Sequence, residues 1–75
     1  MPREEHFIKM WPWKFAPEGL KALSQSGGDE DWVVFVPQAI LDTWYEPTWL
    51  MYIDTMHDAQ EFIVDGGKVY IGAHA

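Results

Sequence analysis

The chain has 75 residues, no cysteine and a formal net charge of -7, from twelve acidic and five basic residues. This length predicts a single domain over residues 1–75, and the absence of cysteine excludes disulfides and cysteine-ligated zinc. The longest apolar runs have five residues, too short for a signal peptide or a membrane span, so we expect a cytoplasmic protein with no membrane contact.

The first third of the chain predicts a strand followed by a short helix. In residues 4–11 the side chains at odd and even positions differ, in a pattern that suits a strand with one face more exposed to water. Pro12 cannot donate to a sheet ladder, so this strand should end there or lie at a sheet edge. Pro17 suits the first position of a helix over about residues 17–25, which Gly27 and Gly28 would end.

The middle of the chain predicts a buried strand and a second helix. Residues 32–36 are apolar at both odd and even positions, which is typical of a central strand covered on both faces. Pro37 closes this strand and suits the first position of a helix. The apolar stripe of that helix would consist of Ile40, Leu41, Trp44 and Tyr45.

Residues 48–57 are ambiguous between helix and strand. Pro47 is expected to break the chain and to leave Glu46 extended. The apolar run that follows fits a buried strand, but its spacing also fits a helix that begins at Thr48 as N-cap. We predict the helix, on the spacing of Trp49, Tyr52, Ile53 and Met56.

The last segment predicts a β-hairpin. Two apolar runs, residues 60–64 and 68–71, flank Asp65-Gly66-Gly67, and Asp65 and Lys68 could pair across the turn. The element order is therefore β-α-β-α-α-β-β. This order predicts an α+β fold with a three- or four-stranded, mostly antiparallel sheet and two or three short helices packed on one face.

The sequence offers little that could hold a metal ion. His57 and Glu61 would share a face only if residues 57–61 were helical, and two ligands make half of a zinc site. We place Glu61 in a strand, so we expect no metal and no cofactor. The histidines available to such a site are His6, His57 and His74.

Catalytic motifs are also absent from the sequence. No serine or threonine lies in a nucleophile-elbow motif, and Gly27-Gly28 leads into acidic residues that would repel a phosphate. A domain of this size is expected to lack a pocket of several hundred cubic ångströms. We therefore predict a protein that is not an enzyme.

The charge is unevenly distributed along the chain. Residues 1–25 carry four basic and three acidic residues, a net +1, whereas residues 26–75 carry nine acidic residues and only Lys68, a net -8. Such a field repels nucleic acids and attracts basic surfaces. Acidity also serves solubility, so the negative charge is explained either by a basic partner or by solubility alone.

The chain is rich in aromatic residues, with five Trp, three Tyr and four Phe. Each of these side chains buries roughly 150–250 Å² in a core, so a small domain should leave some of them exposed. Exposed Trp and Tyr commonly anchor protein interfaces. Combined with the acidity, this surplus favours a protein partner. The candidate contact residues are Asp29, Glu30, Asp31, Asp42, Glu46, Asp54, Asp58, Trp44 and Trp49.

The acidic turn Asp29-Glu30-Asp31 admits two interpretations. It is either a solvated turn that discourages edge pairing or a contact for a basic partner, and it lacks the ligand spacing of a calcium loop. Spread over loops and helices, the acidic residues could imitate the charge of a phosphate backbone. The partner would then be a larger protein or ribonucleoprotein with a basic surface, and direct nucleic-acid binding is not expected.

In length, acidity and lack of cysteine the chain resembles the small inhibitor proteins of phages and mobile elements, anti-CRISPR proteins among them. The resemblance lies in residues 27–37 (GGDEDWVVFVP) and 69–75 (VYIGAHA), which look like stretches of short phage-type reading frames. It implies a non-enzymatic inhibitor acting in the host cytoplasm, and it assigns no residue a role. The alternative is a small self-associating structural or adaptor subunit, for instance a homodimer.

Overall fold

The computed structural model describes residues 7–23 and 28–74. A four-stranded antiparallel sheet in the order β1-β2-β4-β3 forms the centre of the fold. Its strands are β1 Lys9–Pro12, β2 Asp31–Pro37, β3 Met56–Val64 and β4 Gly67–His74. The helices are a 3-10 helix Trp13–Phe15, α1 Glu18–Lys21, α2 Gln38–Thr43 and α3 Glu46–Ile53. The expected α+β class is confirmed.

The central strand β2 divides the apolar side chains between two cores. Val33 and Val34 are both fully buried but point to opposite faces, because side chains alternate along a strand. The first core contains Val34, Val36, Ile40, Trp49, Met56 and Tyr70. The second core, on the other face, contains Ala16, Val33, Val69 and Ile71.

The helices lie on both faces of the sheet, and the prediction that they pack on one face is wrong. Side chains from α2 and α3 pack on the first core, and Trp13 and Leu20 from the 3-10 helix and α1 pack on the second. The physical reason is that β2 is apolar at both odd and even positions, and that Val69 and Ile71 of β4 add apolar side chains to the second face. Helices on one face alone would leave Val33 and Ile71 exposed to water.

Pro17 and Pro37 precede their helices instead of opening them. Pro17 and Pro37 are N-caps with extended backbone, and helical geometry begins at the next residue. Helix α1 covers four residues, fewer than the expected 17–25, although residues 24 and 25 lie outside the described part. Pro12 is the last residue of β1, an edge strand, as its missing N–H predicted.

The predictions for residues 46–57 need correction. Glu46 is helical because Pro47 lies in the first turn of α3, where a backbone N–H has no helical partner to lose. Tyr45 is therefore the N-cap in place of Thr48. The helix also ends at Ile53 and not at His57, because Met56 and His57 pair with β4 in the sheet.

The first strand begins later than predicted. Residues 7 and 8 lie outside any strand, and residues 4–6 lie outside the described part of the chain. Strand β1 pairs with β2 over four residues, with Trp11 opposite Val33 and Lys9 opposite Phe35. Lys9, Trp11 and Phe35 consequently share the face of the second core.

The β3–β4 hairpin has a two-residue turn, Asp65-Gly66, because Val64 pairs directly with Gly67. Both glycines have positive φ, +94° at Gly66 and +156° at Gly67. A Cβ at Gly67 would overlap the carbonyl oxygen of Val36. The Gln38 N–H donates to the Gly66 carbonyl at 2.8 Å, so the turn is tied to the start of α2.

A β-bulge interrupts the pairing of β3 with β4. His57 lies opposite Ala73 and Gln60 opposite Ile71, so Asp58 and Ala59 both face Gly72. Asp58 has a φ of 55°, a left-handed conformation that Asp tolerates better than most residues. The bulge explains why a glycine stands at 72, since a Cβ there would lie 2.8 Å from the His57 carbonyl oxygen.

Candidate protein-binding surface

Most of the acidic residues and most of the lysines in the described part of the chain lie on different sides of the molecule, although Lys68 of β4 lies beside Glu61. Residues 38–65, which form α2, α3 and the edge strand β3, contain six acidic residues and no Lys or Arg. We call this surface the acidic side. Residues 7–23, which form β1, the 3-10 helix and α1, contain three lysines and one acid, Glu18. We call this surface the lysine side.

Four large apolar side chains of the acidic side are exposed. One is Ile63 of β3, and we name the other three, which lie on α3 or at its N-cap, the α3 patch. Tyr45 is 78 % exposed, Met51 60 % and Tyr52 40 %. At 3.6 residues per turn, Met51 lies opposite the stripe that Trp49 and Ile53 direct into the first core. Helix α3 therefore presents an apolar outer surface to solvent as well as an apolar inner one.

Acidic residues flank the α3 patch at both ends of its helix. Glu46 opens α3, where the helix dipole favours a negative charge. Asp54 is the C-cap, where the same dipole disfavours one. Asp42, on α2, is exposed and accepts a hydrogen bond of 2.9 Å from the side-chain amide of Gln38. The position of Asp54 is not explained by helix stability.

A buried tyrosine links the acidic side to the sheet. The Tyr70 hydroxyl donates to the Glu61 carboxylate at 2.8 Å. Burial, that hydrogen bond and the negative charges of Glu61 and Glu46 raise the pKa of Tyr70 well above its usual value. Lys68 lies 3.7 Å from the same carboxylate, so it pairs with Glu61 and not with Asp65 as expected from the sequence.

The acidic turn lies at the end of the sheet where β2 begins. Asp29 and Glu30 are exposed, whereas Asp31 is half-buried and accepts a hydrogen bond of 2.9 Å from the Gly28 N–H. Asp31 and Asp58 come together with His57 around a shallow polar depression of about 190 Å³. Asp31 thus stabilises its own turn, and Asp29 and Glu30 are the residues of this turn open to contact.

The two tryptophans chosen as contact residues are not equivalent. Trp49 is only 5 % exposed, and its ring centroid lies 6.4 Å from that of Tyr70 within the first core. It is therefore a core residue and cannot anchor a partner. Trp44 is half-buried and packs against the same core.

The α3 patch was not among the predicted contact residues, because Tyr45 and Tyr52 fitted the apolar stripes expected to be buried. Helix α2 ends at Thr43, so Tyr45 no longer follows the helical spacing set by Ile40 and Leu41. A stripe of Trp49, Leu50 and Ile53 would have fitted α3 equally well and left Tyr52 outside.

An open apolar groove of about 470 Å³ lies on the lysine side. The expectation that so small a domain lacks such a pocket is wrong. The reason is the length of α1, whose four residues cover only part of this sheet face. The groove is lined by Lys9, Trp11, Pro17, Leu20, Phe35, Pro37 and Gly66.

Two threonine hydroxyls make local hydrogen bonds to the backbone. The Thr43 hydroxyl donates to the Ala39 carbonyl, and the Thr55 hydroxyl donates to that of Tyr52 at 2.7 Å. No group of three or more His, Asp or Glu within residues 7–23 and 28–74 is placed to hold a metal ion. In the same ranges, no helix has the length and apolar character needed to cross a membrane.

The described surface thus offers charge and exposed apolar side chains, which are the chemistry of recognition. Comparison with known proteins adds no relative: the chain matches no protein-family model, no curated protein and no solved structure.

Proposed function

We propose that this chain is a non-enzymatic protein-binding inhibitor whose acidic side occupies a basic surface of a larger protein or ribonucleoprotein. The observation that supports this most directly is the α3 patch. Its exposed Tyr45, Met51 and Tyr52 lie within a stretch, residues 38–65, that has six acidic residues and no Lys or Arg. The basic surface is one that ordinarily holds nucleic acid, as the resemblance to small phage inhibitors implies.

The two components of this surface have different roles in binding. Acidic residues steer the approach of a basic partner and determine its orientation, an effect that weakens as salt screens the field. Exposed aromatic and Met side chains supply the contact that excludes water. A surface with both is suited to specific capture, whereas acidity alone would serve solubility.

The position of Asp54 also supports the proposal. A carboxylate at the C-terminal end of a helix opposes the dipole and costs about 0.3–1 kcal/mol. Asp54 lies two and three residues after the patch members Tyr52 and Met51, so it adds negative charge at the rim of the apolar surface. We infer that its charge contributes to binding at the expense of helix stability.

The test is an NMR titration of the full chain with an arginine- and leucine-rich peptide as the basic probe. We expect amide shifts concentrated in α2, α3 and β3, and an affinity that falls as salt rises. Shifts confined to the lysine side, or affinity unchanged between low and high salt, would contradict the proposal.

A matched pair of substitutions separates location from net charge. Asp54→Asn and Glu18→Gln each remove one negative charge, the first from the acidic side and the second from the lysine side. We expect weaker peptide binding for D54N and unchanged binding for E18Q. Equal losses would mean that only total charge matters.

The acidic turn is tested separately with Asp29→Lys combined with Glu30→Lys. Asp31 is left in place because its carboxylate stabilises the turn through the Gly28 N–H. A loss of affinity in this double variant would extend the binding surface to the β2 end of the sheet. Unchanged affinity would restrict it to α2, α3 and β3.

A further inference from the structure

The groove on the lysine side is an apolar surface that the described residues leave open. Trp11 and Phe35 form its floor on the sheet, and Pro17 and Leu20 of the α1 segment form one wall. Its volume of about 470 Å³ falls within the range of about 300–1,000 Å³ seen for binding pockets. The groove is large enough to take more than one side chain of a partner.

Lysines are more frequent around this groove than on the acidic side. Lys9 lines the groove and Lys14 lies on the flanking 3-10 helix, whereas Lys21 of α1 pairs with Glu18 at 3.6 Å. The exposed acid Asp65 adjoins Gly66, which also lines the groove. An occupant with exposed apolar side chains and flanking acids would match both the groove and its surroundings.

The same chain carries such an occupant on its other side. The α3 patch combines three exposed apolar side chains with Glu46 and Asp54 at the ends of its helix. The patch belongs to the face of the first core, and the groove belongs to the face of the second. One copy therefore cannot fill its own groove with its own patch, whereas a second copy can.

We propose that the α3 patch of one copy docks into the groove of a second copy, head to tail. Such a contact joins two different surfaces, so each added copy presents a new patch and a new groove. The assembly grows into a ring or a filament instead of stopping at a symmetric dimer. This inference does not require the basic partner proposed above, but the partner and the second copy would compete for the α3 patch.

Net charge sets the conditions under which this association appears. Two copies of charge -7 repel each other at long range, and that repulsion is screened within about 8 Å at about 0.15 M salt. Apolar contacts in the groove are not screened. We therefore expect self-association at high protein concentration in moderate salt, and less of it in low salt.

Sedimentation of the full chain between about 10 µM and about 1 mM tests the proposal. We expect the mean mass to rise with concentration above the 8.7 kDa of one chain. Pro17→Asp places an acid in the groove wall while keeping a favourable N-cap for α1, and it should abolish the rise. Pro17→Ser keeps the cap without the charge and should leave the rise intact.

The opposite surface is blocked by Met51→Lys, with Met51→Leu as its control. P17D retains a normal patch and M51K retains a normal groove, so each alone should be monomeric. Mixed in equal amounts, they should form a one-to-one complex of twice 8.7 kDa and nothing larger. This complex would distinguish head-to-tail docking from every symmetric contact.

Three results would overturn the proposal: a monomer at every concentration, equal association of P17D and P17S, or no complex in the mixture. The proposed function is judged by other variants, because P17D should still bind the basic peptide through its intact patch. If P17D no longer self-associates but still binds the peptide, both inferences are supported. If D54N no longer binds the peptide, that result concerns only the proposed function.

Discussion

At the scale of single residues, neighbouring residues of similar chemistry have different roles. Trp49 and Tyr52 are three positions apart on α3, yet Trp49 packs against Tyr70 in the first core and Tyr52 is 40 % exposed. Asp31 stabilises its own turn, whereas Asp29 beside it is exposed. Residue type alone therefore did not separate exposed residues from buried or hydrogen-bonded ones.

Gly67 is the residue where substitution should affect the fold most strongly. Its φ of +156° is a conformation that L side chains rarely adopt, and a Cβ would overlap the Val36 carbonyl oxygen and lie 3.0 Å from Pro37 Cα. We expect Gly67→Ala to lower the free energy of unfolding by about 2–4 kcal/mol, measured by urea denaturation.

Gly19 provides the control for that measurement. It lies within α1, and a Cβ there would meet nothing within 4 Å. Gly19→Ala should raise the free energy of unfolding by up to about 1 kcal/mol, because alanine is the better helix former. Similar effects of the two substitutions would show that the Gly67 conformation is not under steric constraint.

At the scale of elements, the short helices decide which surfaces stay open. Helix α1 covers so little of the second face that the groove remains beside it, and α2 ends early enough to turn Tyr45 outward. Helix α3 is held from both ends, by Pro47 in its first turn and by the β3–β4 pairing that begins at Met56.

The two acids at the ends of α3 should have opposite effects on stability. Asp54→Asn removes a charge that opposes the helix dipole, so we expect the free energy of unfolding to rise by about 0.3–1 kcal/mol. Glu46→Gln removes a charge from the favourable end and should lower it by a similar amount. Chemical denaturation measures the free energy of unfolding of both variants. A change of the same sign in both would contradict the dipole explanation.

The link between β3 and β4 predicts a pH dependence. The pKa of Tyr70 is raised on folding, so its hydroxyl stays neutral in the folded chain while the unfolded chain ionises near pH 10. The stabilisation is therefore complete below about pH 10 and is lost as pH rises above it. We expect the free energy of unfolding to fall from about pH 10 upward, as followed by urea denaturation.

Tyr70→Phe tests this explanation. It removes the hydroxyl that donates to Glu61, so it should be less stable at neutral pH by about 1–3 kcal/mol. Its free energy of unfolding should also change less between about pH 9 and about pH 11 than that of the unmodified chain. An equal fall in both proteins would assign the pH dependence to other groups.

At the scale of the whole molecule, three of the four described lysines lie away from the acidic side. The acidic side carries the α3 patch and the lysine side carries the groove. The formal net charge of -7 does not reveal this division. Both proposals depend on it, because each pairs a charged surface with apolar contact.

Element order and fold class were predictable from the sequence because they depend on local signals. Proline and glycine positions marked the breaks, and the unbroken apolar run at residues 32–36 identified the central strand. The sequence Asp65-Gly66-Gly67 likewise predicted the hairpin, and the structure places its turn at Asp65-Gly66. These signals act within a few residues, so the chain alone carries them.

The sequence by itself determined the acidity, the α+β class and the division of charge between the two parts of the chain. Only the tertiary structure decided that Trp49 is buried, that Tyr45 and Met51 are exposed and that a groove remains beside α1. These outcomes depend on which residues of distant segments pack together, and helical or strand periodicity does not specify that packing. The apolar face of β2 that α1 only partly covers is the clearest case, since the gap exists only once helix and sheet are placed against each other.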